Sequence, residues 1–305
     1  MININNNIRK YFLNLKNSLK KEAKKINFFS LIKYLFLFFI SFLFILPFFL
    51  MFMISIKSFS DIIQNNYLSL PKNGWHWENY KLALQQMEFI KFFLNTLRVT
   101  FFSTLLGTLC SILTAYALSI LDLKFKPILL MFLLLGLMTT SETLVITNYR
   151  TISNAGLVDY GQGPKVPFGT DYAVILPYLV NIVHILLLVN VFKNTPKELY
   201  YTAKIDGTSD WQYLWKILVP IAKPTIIVTV IFRIVGCWNA YAWPNLVGAQ
   251  LLTNMARKVF DIETEIDKIN LQMANLILIN IPLFLIFIFF KKYIISGEAK
   301  SGIKG

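Results

Sequence analysis

Four ionisable side chains fall inside long apolar runs of this chain: Arg98, Glu142, His184 and Arg233. A charged group near the middle of a bilayer costs about 2.5–3.5 kcal/mol on insertion scales, so each needs a partner or a task. The run holding Glu142 opens at Pro127, which puts the carboxylate about 22 Å along it at 1.5 Å per residue. Arg98 stands near the start of the preceding, oppositely directed run. Their depths match, and the pair reads as a structural ion pair ahead of direct solute contact. Arg233 follows Pro224 by nine residues, near mid-membrane, with no acidic residue at that depth. Its planar guanidinium donates several hydrogen bonds at once, so it could hold solute hydroxyls, a phosphate, backbone carbonyls or a neighbouring subunit. His184, among Ile, Val and Leu, reads as a helix-packing histidine with its polar atoms satisfied. Trp238, Asn239 and Tyr241, with Trp243, form a set whose rings stack on sugars and whose amide both donates and accepts. Interfacial anchoring explains the tryptophans equally well.

Nothing in these residues makes a catalytic constellation, and no metal or cofactor site is expected. The sequence G-x-x-x-x-G-K-[ST] occurs nowhere, so the chain is not itself a P-loop ATPase. Cys110 and Cys237 both lie in apolar runs and read as buried thiols rather than a disulfide framework or metal ligands.

The elements that must position these groups are membrane helices. With 56% hydrophobic and 15% charged residues in 305 and a mean hydropathy of +0.56, the chain lies outside soluble composition. About 20 helical residues cross a ~30 Å hydrocarbon core, and runs of that length occur near 33–56, 93–119, 127–147, 171–192, 224–243 and 272–290. Six spans predict an all-α integral membrane protein with both ends on one side. Lys and Arg favour cytoplasmic segments. With the N-terminus inside, nineteen face the cytoplasm: eight from Arg9 to Lys33, then Lys124 and Lys126, five from Lys193 to Lys223 and four from Lys291 onward. The opposite side takes nine. The reading is a basic cytoplasmic leader over 1–32, one transmembrane domain over 33–295 and a cytoplasmic tail over 296–305. The first apolar run exceeds the roughly 7–15 residues of a cleavable signal core, so it reads as an uncleaved anchor. The net charge of +14 sits mostly beside spans, where anionic membrane lipid attracts it, and nucleic acid is excluded as a partner.

Between the fourth and fifth runs, residues 195–223 form a polar, basic island. Thr195, Pro196 and Glu198 spell a helix start with a T-x-x-E capping box. Gly207 suits a helix C-cap, Ser209 with Gln212 forms a second capping box, and Pro220 is expected to stop the second helix. Both helices are too short to stand alone. Trp211, Leu214, Trp215 and Leu218 form a stripe at helical spacing for docking on the spans, while Tyr200, Tyr201 and Lys204 stay available to a partner.

The run ELYYTAKIDGTSDWQYLWKILVPIAKP resembles the EAA loop of membrane permeases in bacterial ABC importers, whose pattern is E-A-A, three residues, G, nine residues, I-x-L-P. Ala203, Gly207, Ile217 and Pro220 match at the family's spacing; Tyr201 and Thr202 stand where Glu and Ala are usual, and Val219 replaces Leu. The W-x-N-Y at Trp77 to Tyr80, the run CWNAYAWP from Cys237 to Pro244, Tyr116 to Ser119 and the tail from Gly297 through Gly302, Ile303, Lys304 and Gly305 are similar to the carbohydrate-uptake class, in particular its smaller maltose-type permeases. The resemblance implies the type I importer permease fold, with a cytoplasmic helix-Gly-helix coupling loop. It also implies a permease subunit in the cell membrane that forms half of a pore for a sugar or sugar-like solute, a glycerol phosphate among the candidates. Implied partners are a second, different permease subunit, two ATPases that carry ATP and Mg, and an extracytoplasmic substrate-binding protein. Contact with the ATPase falls to Glu198, Tyr200, Tyr201, Thr202, Ala203, Lys204, Asp206, Gly207, Ile217 and Pro220; the solute path falls to Arg233, Trp238, Asn239 and Tyr241. An ion-driven secondary transporter would call for inverted repeats and paired intramembrane acids, and a non-transporting scaffold gives the island no purpose.

Overall fold

The computed structural model describes residues 28–64, 69–86, 88–139, 141–261 and 269–301. The basic leader up to residue 27 and the last four residues of the tail lie outside the described residues. Among the described residues every regular element is helical. In chain order, α1 (Phe28–Ser55) precedes two short helices, α2 (Phe59–Gln64) and α3 (Glu78–Gln86), and then α4 (Phe89–Ser119). Next come α5 (Lys126–Met138), α6 (Ser141–Asn154), α7 (Gly169–Ile175) with a 3₁₀ turn at Leu176–Tyr178, and α8 (Ile182–Lys193). α9 (Lys197–Ile205) and α10 (Asp210–Tyr213) lead through a π-helical turn, Leu214–Leu218, into α11 (Val219–Trp238). The last described helices are α12 (Ala242–Leu246), α13 (Leu252–Asp261) and α14 (Ile269–Ser301).

Among the described residues four helices are long and apolar enough to cross a membrane alone: α1, α4, the continuous Asp210–Trp238 rod and α14. Two bent pairs bring the number to six if each makes one crossing. The expected third span is not a single helix, because α5 and α6 meet at 106°. Thr139 is extended there and its hydroxyl donates to the Gly136 carbonyl at 2.9 Å, so a side chain competes with the helical ladder beside a glycine. The expected fourth span is also broken, by 49° between α7 and α8. Pro177 has no N–H for the Ala173 carbonyl four residues back, and the Trp243 indole N–H takes that carbonyl at 2.9 Å instead. Asn181 then restarts the helix, its side chain accepting from the His184 N–H at 3.2 Å.

The fifth span departs from expectation in the other direction. Pro220 does not stop the island's second helix, and the rod ends at Trp238 rather than near 243. The Val219 N–H reaches back five residues to the Leu214 carbonyl, and this widened turn relieves the clash that a proline ring makes with the preceding turn.

α4 is the central element, packed on α8 and α11. Its buried face carries Thr96, Thr100, Ser103, Thr104, Gly107, Thr108, Ser111 and Ala115, small residues that let helices approach closely. One apolar cluster gathers at its C-terminal end, from Ile112 to Leu118 with Ile185, Phe192 and the island. Another gathers at its N-terminal end around Val99, Ile152, Val174 and Trp243. α14 covers α1, α3 and α11. α1 leaves its apolar side chains exposed, the surface that lipid covers in a spanning helix.

Candidate functional site

The island is the first candidate site. Gly207 has φ 75°, the left-handed region, and the corner is a Schellman motif. The Thr208 N–H reaches Ala203 O at 2.9 Å and the Gly207 N–H reaches Lys204 O at 3.1 Å. A Cβ at Gly207 would meet nothing within 4 Å, so the backbone conformation alone asks for glycine. The Ser209 and Gln212 capping box forms with both reciprocal bonds. The first capping box does not: the Thr195 hydroxyl donates to Val191 O at 3.1 Å, and the chain enters α9 through Pro196. Thr195 still belongs to the end of α8, where a carbonyl lacks its helical partner. Glu198 is left as an exposed first-turn acid, favourable to the helix dipole.

Ala203, Tyr213, Leu214 and Leu218 bury against Ile112, Tyr116, Leu118, Ile185, Leu188 and Phe192. Trp211 faces outward, 61% exposed, because the π turn breaks the 3.6-residue period on which the predicted stripe rests. Tyr200 and Lys204 are not free for a partner. The Tyr200 hydroxyl donates to Asp210 Oδ1 at 3.0 Å, the Lys204 ammonium reaches the same oxygen at 3.1 Å, and the Tyr116 hydroxyl donates to it at 2.9 Å. Hydrogen bonding to Asp210 holds the Lys204 pKa above its ordinary value, and burial, then Asp210, raises that of Tyr200. Asp210 carries this arrangement although no sequence pattern pointed to it. The face left open comprises Glu198, Leu199, Tyr201, Thr202, Ile205 and Asp206, with Tyr201 61% and Ile205 85% exposed. Ile217 is partly buried and Pro220 exposed. An isoleucine on a short polar helix was the available signal for position 205.

The second candidate site is a cavity of about 450 Å³ framed by α4, α6, α7, α8, α11 and α12. Arg233 and Tyr241 line it, together with Ser103, Tyr178, Asn181, His184, Phe232 and Trp243. Trp238 and Asn239 do not. At 3.6 residues per turn, Trp238 lies about 140° round the helix from Arg233. It is buried beside Phe93, with its indole N–H on Ile279 O at 3.2 Å, while Asn239 is the exposed C-cap of α11.

Arg233 is held by backbone. Its Nη1 donates to Tyr178 O at 3.3 Å, and its Nη2 to Leu179 O and the Ser111 hydroxyl, both at 3.0 Å. Those carbonyls belong to the break between α7 and α8. The guanidinium fits because α4 has a glycine beneath it: a Cβ at Gly107 would collide with Nη1 and Cζ. Nε has no hydrogen-bond partner among the described residues. His184 is buried and its ring lies parallel to Phe232 at 6.5 Å, yet Nδ1 has no partner among the described residues, contrary to the expected satisfied histidine. Arg98 pairs with Asp171 at 2.6 Å, its Nη2 donates to Asn95 Oδ1 at 3.3 Å, and its guanidinium lies 4.8 Å from the Phe168 ring centroid. Among the described residues its acid is Asp171, in the first turn of α7; the side chain of Glu142, the acid expected from the sequence, lies outside the described residues. Among the described residues no three His, Cys, Asp or Glu side chains cluster as metal ligands would.

A family model described as "Binding-protein-dependent transport system inner membrane component" matches residues 23–298. The arabinooligosaccharides transport system permease protein AraQ of Bacillus subtilis (strain 168) is 24% identical over 281 residues, 89% of this chain and 94% of that protein. A probable starch degradation products transport system permease protein, AmyC of Thermoanaerobacterium thermosulfurigenes, is 28% identical over 275 residues, 87% of this chain and 93% of its own length. In fold, the chain is similar to a crystal structure of a bacterial ABC transporter involved in the import of the acidic polysaccharide alginate. The TM-score is 0.76 at 19% identity, covering 87% of this chain and 96% of the other.

Proposed function

The chain belongs to the family of binding-protein-dependent transport system inner membrane components, and we propose that it forms half of the translocation pore of an ABC importer for a neutral oligosaccharide. As a permease subunit it makes and breaks no bond, and ATP is bound by a separate ATPase. The observation that carries the solute class is the cavity itself. Tyr178, Tyr241, Trp243 and Phe232 supply aromatic faces, Asn181 and Ser103 supply amide and hydroxyl groups, and this mixture suits a sugar's apolar faces and hydroxyl edges. The names of AraQ and AmyC, which concern oligosaccharides and starch products, support the same class. A glycerol phosphate fits less well, since the guanidinium that would meet a phosphate already donates to two carbonyls and a hydroxyl.

In this reading the island lies in the cytoplasm with both chain ends, on the strength of the Lys and Arg bias. The open face of α9, from Glu198 through Tyr201 and Thr202 to Asp206, with Ile205 added, meets an ATPase. Gly207 is the corner. A second and different permease, a pair of ATPases loaded with ATP and Mg, and a substrate-binding protein on the far side complete the assembly. Closure of the ATPases moves the island as a rigid body and switches access to the cavity. Extraction of the tagged chain from its native membranes in mild detergent tests this: a P-loop ATPase and a second permease co-purify. A purified chain that moves saccharide across vesicles with no ATPase present overturns the proposal.

A further inference from the structure

The Schellman corner and the capping box fix where α9 ends and α10 begins, but neither ties α9 to a span. α9 has little apolar grip of its own, with Ala203 its one buried side chain among the described residues. Beyond Ala203 and the Tyr200 ring, which pack on the apolar cluster at the end of α4, what joins it to the helices is polar. Tyr200 and Lys204 on α9 and Tyr116 on α4 all converge on Oδ1 of Asp210, the first residue of α10, at 3.0, 3.1 and 2.9 Å. One carboxylate oxygen therefore links both island helices to α4. α4 is unbroken from Tyr116 back to Gly107, where Ser111 and the gap at Gly107 hold Arg233 against the break between α7 and α8. The loop pattern that fixes Gly207 and Pro220 says nothing about positions 116, 200 or 210.

We infer that Asp210 is a positioning residue: it makes α9 and α4 move together, so that displacement of the island reaches the broken span at the cavity wall. This rests on the reading of the island as the ATPase contact. A network of charge-assisted hydrogen bonds ending on a rigid helix is a physical carrier of such coupling. Without Asp210, α9 can shift under its partner while α4 stays in place.

Cys237 lines the cavity and reports the outcome without a known solute. In a Cys110→Ser background, the complete detergent-extracted complex is treated with N-ethylmaleimide, with and without ATP and Mg, and alkylation of Cys237 is timed. In the otherwise unmodified complex ATP changes the rate at least about fivefold, the low end of ordinary coupling. In Asp210→Ala, and independently in Tyr116→Phe, which keeps the buried ring, the ATPase still co-purifies and the response falls below about twofold. A full response in both variants overturns the role of Asp210 and leaves the ATPase contact standing. An otherwise unmodified chain that carries no ATPase overturns that contact and this inference together.

Discussion

Arg233 shows how a charge within an apolar helix is made tolerable without an opposite charge among the described residues. The break at Pro177 exposes carbonyls, and the guanidinium supplies donors in a plane that reaches two of them and a hydroxyl on α4. The two irregularities satisfy each other. Arg233→Ala leaves buried carbonyls unpaired at about 1–3 kcal/mol each, and thermal unfolding in detergent should fall accordingly. Arg233→Lys, which keeps the charge but not the fork, should recover only part of the loss. Gly107→Val should destabilise by a similar amount, since its side chain takes the space of Nη1 and Cζ. Because both substitutions break one contact, the double variant should be clearly less destabilised than the sum of the singles. Additivity in that cycle would show that Gly107 and Arg233 do not act as one unit. The sequence placed Arg233 near mid-membrane and named backbone carbonyls among its possible partners; it could not say which, because Tyr178 and Leu179 lie over fifty residues away and become acceptors only through the break.

At the scale of elements, local grammar was legible where partners are close in sequence. Gly207 and the Ser209 to Gln212 box were readable because each device closes within five residues. Thr195 was misread because the same hydroxyl can serve the helix before it or the one after it, and the end of α8 takes it. Two stability predictions separate these cases. Ser209→Ala should cost about 1 kcal/mol, the usual worth of an N-cap, whereas Thr195→Ala should cost less than half of that by the same melting measurement. Gly207→Ala should cost about 1–2 kcal/mol through left-handed backbone strain alone, and Gly207→Asn should cost less. The broken spans were not legible, since hydropathy averages over a run and does not register where Pro177 or Thr139 interrupts it. The long rod from Asp210 was hidden for the opposite reason: prolines read as stops, and the π turn that carries the chain past Pro220 leaves no mark in composition.

At the scale of the molecule, one unbroken helix spans the distance between the two candidate sites. α4 meets the island at Tyr116 and the cavity wall at Ser103, and its Ser111 holds Arg233, which lines the cavity. In the proposed function the chain receives motion at one end and expresses it at the other without doing chemistry itself. Membership of the permease family was legible because the island's spacing and the motifs at Trp77 to Tyr80 and Cys237 to Pro244 are local patterns. The cavity was not, because Trp238 and Tyr241 stand three residues apart yet face different surroundings. In the proposed function the open face of α9 touches an ATPase, and that contact can be trapped directly. Cysteine substitutions at Tyr201 and Ile205, in a chain with Cys110 and Cys237 replaced by serine, can be joined to neighbours with a short bifunctional maleimide in native membranes. An adduct with a P-loop ATPase is expected from both positions, with a yield that changes on adding ATP and Mg. Adducts confined to other membrane proteins, or none from either position while the ATPase remains in the complex, would contradict it.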